Sequence, residues 1–164
     1  MLEVGDCWLT AEIDVAHEHF ATNATRAWLA GLHATGPWRS QRPIILSGGP
    51  LDDHALELEA IAALLRQRRW DCRVLGAHTP PASLAQAVVQ TDASAIVIVC
   101  HLTTGRTAAL EALGAPELRH RHVFYAGDAF ASARARQDVP GHYLGTDLAQ
   151  ATDLITTTIA SRRG

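Results

Sequence analysis

A chain of 164 residues, 48% of them apolar, is long enough to bury a real core in one domain with a small appendage. Its formal charge of −3, the lack of any apolar run near ~18 residues and three widely separated cysteines, Cys7, Cys72 and Cys100, argue against a nucleic-acid surface, a membrane span and a disulfide framework. The opening Met1-Leu2-Glu3-Val4-Gly5-Asp6 lacks the basic and apolar regions of a secretory signal, so a cytoplasmic chain with reduced thiols is expected.

Leu2 to Leu9 reads as the last turns of a helix, and Ile13 to about Ala34 as a long one with Phe20, Ala24, Ala27, Trp28 and Leu32 on one apolar stripe. Gly36-Pro37 stops it. Two helical pieces are too few to form a bundle core, so residues 1–37 are expected to be a partial helical cap that packs on the following domain or on another chain, or that lacks helices preceding it in a longer protein. Trp38-Arg39-Ser40-Gln41 is the one plausible hinge.

From Arg42 the pattern changes. Apolar runs Pro43 to Leu46, Cys72 to Leu75, Ala95 to Cys100, Val123 to Ala126 and His142 to Leu144 alternate with helical patterns over Leu51 to Arg69, Pro81 to Thr91, Gly105 to Leu113, Ala129 to Arg136 and Asp147 to Arg162. Five strands alternating with helices predict an α/β fold for residues 42–164. Right-handed crossovers make the sheet parallel and cover both faces, and the flavodoxin-like, Rossmann-like order 2-1-3-4-5 is expected. The basic runs Arg66-Gln67-Arg68-Arg69, Arg119-His120-Arg121-His122 and Arg162-Arg163 fall at helix ends or in loops and form no stripe, so direct nucleic-acid binding is not expected.

In that order the switch point lies between strands one and three, where ligands bind at the carboxyl ends. Ser47-Gly48-Gly49-Pro50-Leu51-Asp52-Asp53-His54 leaves strand one, Cys100-His101-Leu102-Thr103-Thr104 leaves strand three, and Tyr125-Ala126-Gly127-Asp128 leaves strand four. Asp52 can accept the proton of one His54 ring nitrogen and leave the other nitrogen's lone pair for a metal. Ala126 and Gly127 carry almost no side chain and would let a ligand approach the backbone. The glycines do not make a dinucleotide fingerprint or a P-loop. Cys100 stands where a phosphorelay receiver needs aspartate, and no lysine follows strand five. The pairs His17-x-His19 and His120-x-His122 lack cysteines at zinc-ligand spacing.

Asp52-x-His54, Cys100-x-Leu102 and Ala126-Gly127 resemble the Asp-x-His-x-x-Gly, Ser-x-Leu and Gly-Gly motifs of the cobalamin-binding domain family. The resemblance implies that His54 replaces the cofactor's benzimidazole as lower cobalt ligand, while the displaced nucleotide tail enters the crevice lined by Cys100, Leu102, Thr103, Ala126 and Gly127. Glu57 stands where the family has glycine, Cys100 where it has serine, and Ala126 where it has the first glycine. Upstream, Trp8-x9-Glu18-His19 is similar to the light-sensing adenosylcobalamin repressors, which implies that Trp8, Val15, Glu18 and His19 cover the upper axial group. Leu9 occupies the place of a histidine common in those repressors.

Taken alone, Trp8 also reads as an ordinary core or interface tryptophan, and Glu18-His19 as a solvated pair. The resemblance implies a non-enzymatic, light-responsive adenosylcobalamin sensor that regulates transcription or signalling through a regulatory partner or a missing output module, as a homo-oligomer or with that partner. The alternatives are a corrinoid carrier subunit of a methyltransferase or mutase, and an interaction module that no longer binds cobalamin.

Overall fold

A computed structural model of the chain describes residues 15–32, 35–49 and 55–161. The helical reading of Leu2 to Leu9, and Trp8, Asp52 and His54 with it, lie outside these residues. The elements are α1 (Val15–Ala30), β1 (Ile44–Gly48), α2 (Leu56–Gln67), β2 (Cys72–Gly76), α3 (Pro81–Thr91), β3 (Ala95–Val99), α4 (Arg106–Leu113), β4 (His122–Ala126), β5 (His142–Tyr143) and α5 (Leu148–Ser161). The five strands pair in the order β2-β1-β3-β4-β5, every pairing parallel, as the alternation of runs and helices predicts.

Strand side chains alternate between faces, so a strand covered on both sides must be apolar throughout. Every residue of β1 and of β3 is buried. On one face Ile44, Leu46, Val97, Val99 and Phe124 pack with Leu58, Ile61 and Leu65 of α2 and Ile155 and Ile159 of α5. On the other, Ile45, Ile96, Ile98 and Tyr125 pack with Leu84 and Val88 of α3 and Ala109 and Leu113 of α4. The register Gly48↔Val99 and Val99↔Ala126 sets the carboxyl ends of β1, β3 and β4 level with one another.

Two expectations are corrected. The helix expected over Ala129 to Arg136 is instead a pair of single 3₁₀ turns, Asp128–Phe130 and Arg134–Arg136. The Arg136 guanidinium donates to the carbonyl oxygens of Phe130 and Ala131 (2.9 and 2.5 Å), acceptors that a continuing helix would have used itself. Phe130 is buried edge-on against Tyr125, which turns the chain into the sheet rather than along it.

The apolar stripe of α1 is the second. Phe20 and Trp28 are 76% and 65% exposed, and Ala24 and Ala27 are exposed beside them. The half-buried residues are Glu18, Ala21, Thr22, Thr25, Arg26 and Leu29, whose i, i+3, i+4, i+7 spacing marks the opposite side of the helix. Arg26 fixes this orientation by donating from Nε to Glu59 Oε1 on α2 at 3.0 Å. No helix among the described residues is long and apolar enough to cross a membrane.

Candidate functional site

The strand ends meet backbone to backbone. Just past β1, the Gly49 N–H donates to Val99 O at 2.7 Å. A Cβ on Gly49 would stand 2.9 Å from Cys100 Sγ, so only glycine fits without displacing that thiol. Cys100 follows β3 fully buried; its N–H donates to Ala126 O (3.0 Å) and its carbonyl accepts the Ala129 N–H (3.1 Å). Gly127 has φ +100, and a Cβ there would overlap the Cys100 carbonyl. The room expected beside Gly127 for a ligand is therefore filled, on its side-chain side, by the backbone of the neighbouring strand end.

Cys100 Sγ lies 3.4 Å from Leu102 O, as a thiol hydrogen bond requires. Ala126 is buried in the core on the α2 and α5 face. Leu102, 41% exposed, and the exposed Thr103 form the rim. In β4, burial raises the Tyr125 phenol above its ordinary value, while Arg136 acts to lower it and Tyr143 to raise it.

Sequence reasoning passed over His101. Its side chain is only 16% exposed and lies between two carboxylates, with Nε2 2.9 Å from Glu57 Oε2 and Nδ1 3.2 Å from Asp128 Oδ2. Glu57 is the second residue of α2, and Asp128 follows Gly127, so the contacts join the segments after β1, β3 and β4. The available signal was the glutamate standing at a motif glycine, whose partner lies 44 residues away and follows no spacing rule.

Of the cap residues, Glu18 lies on the half-buried face shared with Arg26, two turns or about 12 Å along the helix. His19 turns outward at 70% exposure, with Nε2 3.7 Å from Glu18 Oε2. The backbone of Val15 opens α1. Among the described residues no three His, Cys, Asp or Glu side chains converge as a metal site, so neither His17 and His19 nor His120 and His122 build one.

A metal donor at the crevice would come from the segment between Gly49 and Ala55, which carries Asp52 and His54. Leu102 and Thr103 offer an apolar and hydroxyl rim there, with Gly49 and the buried Cys100 thiol packed against each other beneath it. Two concavities of about 540 and 580 Å³ lie elsewhere, one by His122 and His142 at the opposite end of the sheet and one by Trp70.

The family model of the B12 binding domain matches residues 43–148, from just before β1 to the start of α5. The chain belongs to the B12-binding domain family. This B12-binding domain is 32% identical over 91 residues to the HTH-type transcriptional repressor CarH of Myxococcus xanthus, a match that covers 54% of this chain and 30% of that protein. The chain thus spans under a third of the length of that relative.

Solved corrinoid proteins share the fold at low identity. The monomethylamine corrinoid protein of Methanosarcina barkeri superposes with a TM-score of 0.70 at 14% identity, covering 94% of this chain and 76% of that one. The methanol:cobalamin methyltransferase complex of the same organism gives 0.63 at 18%, covering 96% and 62%. A cobalamin-binding protein of Desulfitobacterium hafniense DCB-2 gives 0.57 at 17%, covering 94% and 75%.

Proposed function

We propose that this B12-binding domain is a cytoplasmic, non-enzymatic sensor that holds adenosylcobalamin and responds to light. In this reading His54 would hold the cobalt, Asp52 would orient its ring, and Cys100, Leu102, Thr103, Ala126 and Gly127 would hold the nucleotide tail. Trp8, Val15, Glu18 and His19 cover the upper face. When bound, the cofactor supplies a photolabile cobalt–carbon bond. The protein's part is to hold it, to keep water from its upper face, and to convey a change in the cap to an oligomeric or regulatory partner.

The observation that carries the sensory reading is the 32% identity to CarH, a protein named as a transcriptional repressor. Purified protein mixed with adenosylcobalamin in the dark is expected to give a histidine-ligated absorption spectrum that changes on illumination, and His54→Ala to give the spectrum of the free cofactor. A wild-type spectrum identical to free cofactor in dark and light would sink the reading.

The likeness to the monomethylamine corrinoid protein, TM-score 0.70, favours a second reading as the corrinoid carrier of a methyltransferase. A methylated cofactor on this domain that loses its methyl group to a partner's substrate, with no response to light, would decide for it.

A further inference from the structure

Glu57, His101 and Asp128 stand at the carboxyl ends of the three strands that border the crevice, and each comes from a different connection. We propose that these three side chains form a clasp across the crevice mouth that slows insertion of a corrinoid's nucleotide tail, so that the domain discriminates between corrinoids with and without a tail by rate. The inference rests on the cobalamin-binding reading above.

The geometry supplies the bridge. The Glu57 to His101 contact, 2.9 Å, links the first turn of α2, which follows β1, to the second residue past β3. The link therefore ties the segment after β1 to the segment after β3. The His101 to Asp128 contact, 3.2 Å, anchors the imidazole from the β4 side. A carboxylate only accepts hydrogen bonds, so both contacts are satisfied together when both ring nitrogens carry hydrogen.

Charge acts in the same direction as the bond. A nucleotide tail carries a phosphodiester anion, and it meets two carboxylates at the mouth with at most one imidazolium between them. Glu57 is 51% and Asp128 79% exposed, so either can swing into water once His101 is released; the clasp delays passage and does not seal the crevice. Glycine at position 57, as in the family motif, could make no such link. Glu57 is therefore a working part of the mouth.

Stopped-flow absorbance with the full chain tests this, using cobalamin and its tail-less analogue cobinamide against wild type, Glu57→Ala and Glu57→Gln. Removing one charge-assisted hydrogen bond is expected to speed cobalamin association roughly threefold to tenfold in Glu57→Ala. Glu57→Gln, which keeps the length and loses the charge, should fall between Glu57→Ala and wild type, and cobinamide rates should stay within about twofold. An unchanged cobalamin rate in both variants, or an equal rise with cobinamide, overturns the clasp while leaving cobalamin binding intact. Binding of neither corrinoid by wild type overturns the cobalamin reading and the clasp with it. Thermal unfolding of each variant shows that it is folded, and Glu57→Gln carries the test if Glu57→Ala is not.

Discussion

At Gly127 one missing methyl group decides how two strand ends meet. The residue adopts φ +100, and a Cβ would overlap the Cys100 carbonyl oxygen, so alanine there faces both backbone strain and a clash with main chain that is itself hydrogen-bonded to Ala129. Gly127→Ala is expected to lower the stability of the ligand-free domain by about 2 kcal/mol or more, measured by urea denaturation. A loss under about 0.5 kcal/mol would show that the approach is softer than the geometry indicates. The sequence marks Gly127 through its motif but suggests a different reason for the glycine. The demand comes from Cys100, a contact between residues on separate strands. His101 was illegible for the same cause: its value depends on Glu57 and Asp128, which only the folded topology brings to it.

Among the elements, α5 shows how sharply burial divides neighbouring positions. Ile155 is fully buried in the core shared with α2, whereas Leu154 beside it is 38% exposed. Ile155→Ala is expected to cost roughly 2–4 kcal/mol and Leu154→Ala under about 1 kcal/mol in chemical denaturation. Equal losses would mean that α5 is seated in a different rotation.

Such buried and exposed periods are why the strands and helices of the sheet could be read from the sequence. Ala95 to Val99 can hardly be anything but a strand covered on both faces, and the alternation with helices leads to the observed order. The reading failed where local pattern and tertiary demand diverge. Ala129 to Arg136 has helix-forming residues, yet Phe130 is drawn onto Tyr125 and Arg136 takes the carbonyls. In α1 the more apolar side faces out, because the Arg26 to Glu59 pair and the small residues Ala21 and Thr25 let the helix lie close to α2.

For the whole molecule, burial on both faces of the sheet couples stability to alkaline pH. Cys72 in the edge strand β2 is packed with the α2 and α5 face, and burial pushes its thiol from 9.0 up to about 12, with Arg66 lowering it and Asp71 raising it. Tyr125 packs on the other face and is raised from 10.0 by burial in the same sense. Between pH 9 and 12 the folded chain keeps a proton on Cys72 that the unfolded chain has lost, so the folded state binds more protons and unfolding becomes easier as pH rises. The contribution is fully present below pH 9 and gone above about 12, with a slope of up to about 1.4 kcal/mol per pH unit from this group. Denaturation under reducing conditions at pH 8 and pH 11 is expected to show a clear loss of stability in wild type. In Cys72→Ala that loss should be smaller by roughly 2 kcal/mol, because alanine has no proton to lose. Were the two proteins to lose stability equally, Cys72 would not be held as a neutral thiol by the packing of β2 against α2. The chemistry of that cysteine would then have to be reconsidered, because a thiol so hard to ionise is inert to oxidation and to metals at neutral pH.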